Sequence, residues 1–194
     1  MKKVGIYGGS FDPIHHGHLI LAREALETLD LAEVIFVLAA CSPHKTGQEQ
    51  TSIALRWEML KESIAGEPGL TASRLEIDRP PPSYSIETME TLCTAQPETK
   101  FFFLIGEDNL AQLPEWHRFD DLRRLVQFVV LDRSGGETKY PYPAVRRKID
   151  ISATTIRKRV ASGQSIRYLV PEAVERIIRR ENIYQGTKRS NPKN

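Results

Sequence analysis

The chain has 194 residues, 40% of them hydrophobic and 27% charged, ordinary proportions for a globular protein with one good core. Its formal net charge is +2, yet residues 146–194 hold 13 Lys and Arg against 4 Asp and Glu, whereas residues 1–145 hold 14 against 21. No run approaches the ~18 apolar residues of a bilayer span, and neither a signal peptide nor a disulfide or zinc spacing (Cys41 and Cys93 only) is visible, which excludes secreted, membrane, collagenous and disordered classes and favours a reducing, cytoplasmic setting.

In chain order, Lys2–Tyr7 reads as a short buried strand ending at Gly8-Gly9. Leu19, Ala22, Leu26 and Leu29 recur at helical spacing and predict an amphipathic helix from about Gly17 to Asp30. Val34–Ala40 is a continuous apolar run, the pattern of a strand covered on both faces. A polar loop over Cys41–Gln50 precedes a helix from about Thr51 to Ala65, and Leu75–Ile77 reads as a weak strand. Pro80-Pro81-Pro82 forbids regular structure until a helix near Ser85–Thr94. Phe101–Ile105 is another buried strand, Leu110–Leu125 is short-helical with a turn at Pro114, and Gln127–Leu131 is a further strand. Lys139–Arg147 reads as an exposed connection and Ile149–Ile151 as a short last strand. Helices follow at about Ala153–Ala161 and Pro171–Glu181, and Gly186–Asn194 reads as a frayed tail. Strands alternating with helices imply an α/β fold: a doubly wound, Rossmann-like parallel sheet with a small helical part at the C-terminus, as a single domain over residues 1–185. Ligands of such sheets bind at the carboxyl ends of the strands, near a topological switch point.

The chemistry is concentrated at the first strand–helix junction, Gly8-Gly9-Ser10-Phe11-Asp12-Pro13-Ile14-His15-His16-Gly17-His18-Leu19. Glycines there let backbone N–H groups approach an anion, and the following helix adds the positive end of its dipole. The string is neither the G-x-G-x-x-G dinucleotide fingerprint nor the P-loop. It offers instead His15 and His18, three residues apart across a glycine, whose rings can point the same way from the helix start. Imidazolium donors so placed can hold phosphoryl oxygens without a fixed lysine. Zinc at this pair would need a third ligand, and no H-E-x-x-H motif is present. A nucleophile at Ser10 or Cys41 lacks any sign of an oriented base. The basic C-terminal third suggests an anionic partner, but only Tyr168 and Tyr184 are interleaved with it, which argues against nucleic acid.

These residues carry a resemblance. Gly9–Leu19 is similar to the HxGH signature of the nucleotidylyltransferase superfamily, and Ile151-Ser152-Ala153-Thr154-Thr155-Ile156-Arg157 resembles its second signature, ISSTxIR. Within the superfamily the chain is most similar, from Val4 to about Tyr184, to the bacterial nicotinate-nucleotide adenylyltransferases of NAD biosynthesis. The family-specific pieces are Pro43-His44-Lys45, Pro82-Ser83-Tyr84-Ser85, Gly106-Glu107-Asp108, Trp116 and Tyr168-Leu169-Val170-Pro171. Ala153 stands where the family often has a second serine, which leaves Ser152, Thr154 and Arg157 in place.

The resemblance implies transfer of the adenylyl group of ATP to the 5′-phosphate of nicotinate mononucleotide. It implies that His15 and His18 reach the ATP phosphates and that Arg157, with Ser152, Thr154 and the start of their helix, holds the β- and γ-phosphates, while Lys45 closes over them. Gly8, Gly9, Ser10, Phe11, Gly106 and Asp108 are expected at the ribose and adenine, with Arg133 flanking the adenine. Ser83, Tyr84, Ser85, Thr88, Trp116 and His44 are expected at the mononucleotide, Trp116 offering a flat face to the pyridine ring. Magnesium is expected on the nucleotide phosphates rather than in a protein cage. The expected partners are ATP and nicotinate mononucleotide, with no nucleic acid, no membrane, and a second copy of the chain as the one candidate macromolecule. Pantetheine-phosphate adenylyltransferase, a class I aminoacyl-tRNA synthetase core and a non-catalytic nucleotide-binding regulator are the alternatives at this stage; the first does not call for Trp116 or the Pro-Ser-Tyr segment, the second needs a KMSKS-like loop, and the third would more readily have lost His15, His18 or Arg157.

Overall fold

The computed structural model describes residues 1–40, 50–80 and 82–186. Six strands, β1 (Lys2–Gly9), β2 (Glu33–Leu38), β3 (Leu70–Ser73), β4 (Thr99–Gly106), β5 (Gln127–Asp132) and β6 (Ala144–Arg146), form one sheet in the order β3-β2-β1-β4-β5-β6. Every pairing is parallel. The order reverses between β1 and β4, so the carboxyl ends of these two central strands bound the crevice of a doubly wound sheet.

Side chains alternate along each strand and so build two cores. Val4 and Ile6 of β1, Ile35 and Val37 of β2, and Phe101, Phe103 and Ile105 of β4 face α3 (Ser85–Ala95) and α4 (Phe119–Leu125) through Ile86, Met89 and Leu122. Tyr7, Val34, Phe36, Leu38, Phe102 and Leu104 point the other way, toward α1 (His16–Thr28), α2 (Ile53–Ser63), α5 (Ala153–Ala161) and α6 (Glu172–Arg180). Burial on both faces explains why these strands read as unbroken apolar runs. Among the described residues no helix is long and apolar enough to cross a membrane.

Two expected strands are displaced. The strand expected at Leu75–Ile77 lies at Leu70–Ser73 instead, pairing Val34–Val37 of β2, while residues 75–77 turn back after the strand. The strand expected at Ile149–Ile151 lies at Ala144–Arg146, inside the supposed exposed connection, pairing Val130–Asp132. In both cases the apolar alternation that suggested a strand comes from partly buried residues packing on a core: Leu75 on one, Ile77, Ile149 and Ile151 on the other. The stretch at Leu110–Leu125 divides into a 3₁₀ segment, Glu107–Glu115, and α4. Residues 187–194 of the expected frayed tail, like most of the loop at Cys41–Gln50, lie outside the described residues.

Candidate active site

A cleft of about 860 Å³ opens at the carboxyl ends of β1 and β4. The β1–α1 turn brings Gly8, Gly9, Ser10, Phe11, His15 and His18 to it. Gly106 and Asp108 enter from the end of β4, Arg133 from the end of β5, and Ser152, Thr154 and Arg157 from the start of α5. Ser83, Tyr84, Ser85 and Trp116 line the opposite end.

The geometry of the two histidines follows from the turn. His15 is the residue before α1 and His18 sits in its first turn. Their rings stack with centroids 3.7 Å apart and planes 24° from parallel. The backbone N–H of His15 donates to His18 Nδ1 at 3.3 Å, so a neutral His18 carries its proton on Nε2. Gly17 leaves room for the stack: a Cβ at that position would lie 3.0 Å from His15 Nδ1, close enough to push the ring by a few tenths of an ångström. Gly9 does the same for Phe11, whose ring a Cβ would meet at 2.9 Å. Phe11 itself takes a left-handed backbone (φ 43°), a strained conformation for a bulky residue. The Phe11 and Tyr7 rings meet His18 edge-on at 5.1 and 5.9 Å, so three rings box it in.

His15 corrects one expectation. It is 1% exposed, and burial, reinforced by the positive charge of Arg133 and then by His16, pushes its pKa down to about 3. The pair is therefore not two imidazolium ions. His15 is a neutral ring packed under His18, and among the described residues its buried Nδ1 finds no hydrogen-bond partner. Burial also pushes the Tyr7 hydroxyl above its ordinary range, so it stays protonated.

At α5, Ser152 is the capping residue: its Oγ accepts from the Thr155 N–H at 3.1 Å and donates to the Thr155 hydroxyl. That hydroxyl is thus engaged by the helix, and what the helix start offers an anion is the backbone N–H of Ala153 and Thr154, which have no intrahelical acceptor. Arg157 stands one turn further on, donating from Nη1 to the Asp12 carbonyl at 2.6 Å and from Nη2 to Thr154 Oγ1 at 3.4 Å. Across the cleft, Arg133 forms an exposed ion pair with Asp108 at 3.5 Å. Arg133, Arg157 and the starts of α1 and α5 together make this part of the cleft a site for a polyanion.

At the other end, Tyr84 is the residue before α3, with no side-chain capping bond, so the first amides of that helix remain as donors. The Tyr84 ring lies 4.2 Å from that of His117, and Trp116 stands edge-on to Phe103, its buried Nε1 without a partner among the described residues. Thr88 was expected among these cleft residues but is not at the surface of the cleft. It is 1% exposed, donating to Glu76 Oε1 at 3.0 Å and accepting from Arg79 at 2.5 Å. Glu76 lines the cleft in its place; burial raises its pKa, and its backbone carbonyl accepts the Ser83 hydroxyl. Helical spacing puts Thr88 on the buried face of α3, which a motif match does not reveal. His44 and Lys45 lie outside the described residues.

Sequence reasoning missed Tyr7, Glu76 and His117 in the cleft, and Arg56 behind it. Arg56 is 1% exposed and donates to the carbonyls of Ser10, Ala39, Ala40 and Thr51 at 2.9–3.1 Å. One guanidinium thereby ties the β1–α1 turn to the end of β2 and the start of α2. Its only sequence signal was an arginine among Leu55, Met59 and Leu60 on an apolar helix face.

Comparison with known proteins agrees with this geometry. The Cytidylyltransferase-like family model matches residues 6–159. The nicotinate-nucleotide adenylyltransferase of Bacillus subtilis (strain 168) is 36% identical over 189 residues, covering 96% of this chain and 100% of the relative. A relative from Geobacillus thermodenitrificans (strain NG80-2), named a probable nicotinate-nucleotide adenylyltransferase, is 41% identical over 187 residues, covering 95% of this chain and 87% of its own. The fold matches that of the Plasmodium falciparum nicotinic acid mononucleotide adenylyltransferase complexed with NaAD, with a TM-score of 0.80 at 20% identity over 95% of this chain and 98% of that one. With its signature residues gathered in one cleft and relatives of this closeness along nearly its whole length, the chain belongs to the nicotinate-nucleotide adenylyltransferase family.

Proposed function

We propose that this protein transfers the adenylyl group of ATP to the 5′-phosphate of nicotinate mononucleotide, producing deamido-NAD and pyrophosphate, as a step of NAD biosynthesis. The observation that carries the reading is the meeting of His15, His18, Arg133 and Arg157 with the starts of α1 and α5 around one cleft. That cleft is also large enough for two nucleotides end to end.

The nucleophile is a phosphate monoester with a second pKa near ~6, largely dianionic at neutral pH, so no general base is required. Its oxygen forms a bond to the α-phosphorus of ATP. The bond from that phosphorus to the bridging oxygen breaks, and the electron pair leaves with pyrophosphate. The barrier lies in bringing two anions together while charge grows on the leaving group, so positioning and electrostatic stabilisation dominate. His18, boxed by Tyr7, Phe11 and His15, donates from Nε2 to the α-phosphoryl group and the leaving oxygen. Neutral His15 serves by fixing His18. Arg157 and the amides of Ala153 and Thr154 hold the β- and γ-phosphates. Gly8–Phe11, Gly106, Asp108 and Arg133 hold the adenosine, and Lys45, outside the described residues, is assigned to the phosphates by the family resemblance alone.

Magnesium arrives on ATP. Magnesium characteristically keeps waters and takes few protein ligands beside phosphate. When bound, it neutralises charge on the triphosphate.

On the acceptor side, Trp116 stacks on the pyridine ring, and the amides at Ser83–Ser85 receive the carboxylate. An amide in that position would set its NH₂ donors against these N–H donors, so the acid mononucleotide is preferred. Pyrophosphate release with ATP and four acceptors (acid mononucleotide, amide mononucleotide, phosphopantetheine and glycerol phosphate) tests the proposal. Turnover with the acid mononucleotide well above the other three supports it, and equal or better turnover with any other contradicts it.

A further inference from the structure

The C-terminal end of the chain returns to the site. Helix α6 packs on α2, where Arg180 pairs with Glu58 at 2.9 Å, and the chain leaving α6 carries Tyr184 to the β1–α1 turn. There the Tyr184 hydroxyl donates to Asp12 Oδ1. Asp12 Oδ2 accepts from the Thr51 N–H at 3.2 Å, and the residue is 8% exposed. Both carboxylate oxygens are thus held from outside the turn, one by the C-terminal segment and one by the residues leading into α2. The backbone carbonyl of this same Asp12 is the acceptor for Arg157 Nη1.

The consequence concerns Arg157. A guanidinium at the edge of a cleft has many rotamers, and a phosphate clamp works only if the planar group is already aimed. Arg157 gains its aim from the Asp12 carbonyl, and that carbonyl is fixed because the side chain below it is held at both oxygens. A tyrosine that served only to fasten the chain end could have bonded any surface acceptor. This one bonds the residue that aims the arginine.

We propose that Tyr184 is a positioning residue for the nucleotide: acting through Asp12, it holds Arg157 in the orientation that meets the phosphates of ATP. The proposal rests on the reading above in one respect, that Arg157 contacts the triphosphate. Tyr184→Phe removes the hydroxyl and keeps the ring, so the packing of the C-terminal segment is retained.

The test is a double-mutant cycle read by calorimetric affinity for a non-hydrolysable ATP analogue in the wild type, Tyr184→Phe, Arg157→Ala and the double variant. Tyr184→Phe is expected to weaken the analogue by roughly 5- to 10-fold in the wild-type background, the scale of one ordinary hydrogen bond, and by less than about 2-fold when Arg157 is already absent. Asp12→Asn is expected to follow Tyr184→Phe. Affinity for nicotinate mononucleotide alone should stay level in all of them. Equal losses in both backgrounds, no loss on Tyr184→Phe, or a parallel loss of mononucleotide affinity overturns the proposal. Failure of the adenylyl-transfer reading looks different: the coupled losses of analogue affinity persist, while the wild type releases no pyrophosphate with the acid mononucleotide.

Discussion

The imidazoles of His15 and His18 stack at 3.7 Å, and the glycine between them leaves room for the stack. In the proposed reading His18 is the ring that faces the phosphates, with His15 and Gly17 holding it. His18→Ala is therefore expected to lower kcat by roughly two to four orders of magnitude, the scale of losing a key donor to transition-state charge. Gly17→Ala keeps both rings but drives a Cβ against His15, and is expected to lower kcat by about tenfold or more through misplacement of His18. Steady-state kinetics on folded, purified variants checks both.

Neutral, buried His15 makes stability depend on pH. Its folded pKa is about 3 against 6.5 for an ordinary histidine, so between these values the unfolded chain binds the extra proton and the native protein does not. Stability then rises with pH across that window and is lost as pH falls from about 6.5 toward 3. Denaturant unfolding at pH 7 and pH 5 should show the wild type losing more stability on acidification than His15→Gln, which carries no titrating ring. An NMR titration should find the His15 ring still neutral at pH 5.

Arg56 gives a prediction for folding rather than turnover. Removing a buried guanidinium that serves the carbonyls of Ser10, Ala39, Ala40 and Thr51 strips four part-buried acceptors of their donor and leaves a cavity behind the turn. Arg56→Ala is expected to cost roughly 3 kcal/mol or more, since each buried acceptor left bare costs about 1–3 kcal/mol. Arg56→Lys should recover little of this, because a point charge cannot reproduce the planar fork. The midpoint of urea unfolding measures it.

Thr88 separates support from contact at the acceptor end. Thr88→Val keeps the shape of α3 but strips Glu76 of its hydroxyl donor and loosens the Ser83 turn that Glu76 anchors. The KM for nicotinate mononucleotide should rise about 3- to 10-fold with the KM for ATP unmoved, in keeping with one lost buried hydrogen bond. Trp116→Ala, which removes the stacking face itself, should raise the same KM by more than Thr88→Val does.

The doubly wound sheet was legible because its central strands are buried on both faces and its helices show apolar spacing, as at Leu19, Ala22, Leu26 and Leu29, which lie in or against one core. The edge strands were not. Leu70–Ser73 has one large apolar residue, and Ala144–Arg146 is three residues long, whereas Leu75, Ile77, Ile149 and Ile151 alternate because they pack against cores without pairing. The two strings proposed for the phosphates, Gly8–Leu19 and Ile151–Arg157, were legible as contiguous motifs, and the fold brings residues of both to one cleft. What escaped is what tertiary structure brings together: Arg56 behind the turn, Glu76 standing in for Thr88, and Tyr184 meeting Asp12 across 172 positions. Charge state also depends on burial, and burial of His15 could not be read from its neighbours in the chain.

The most direct measurement is a crystal structure with a non-hydrolysable ATP analogue and magnesium. If the triphosphate runs from the His18 ring to the start of α5, with the α-phosphate beside His18 and the terminal phosphates on Arg157, the cleft works as described. A triphosphate bound elsewhere, or reversed so that adenine meets α5, would contradict it.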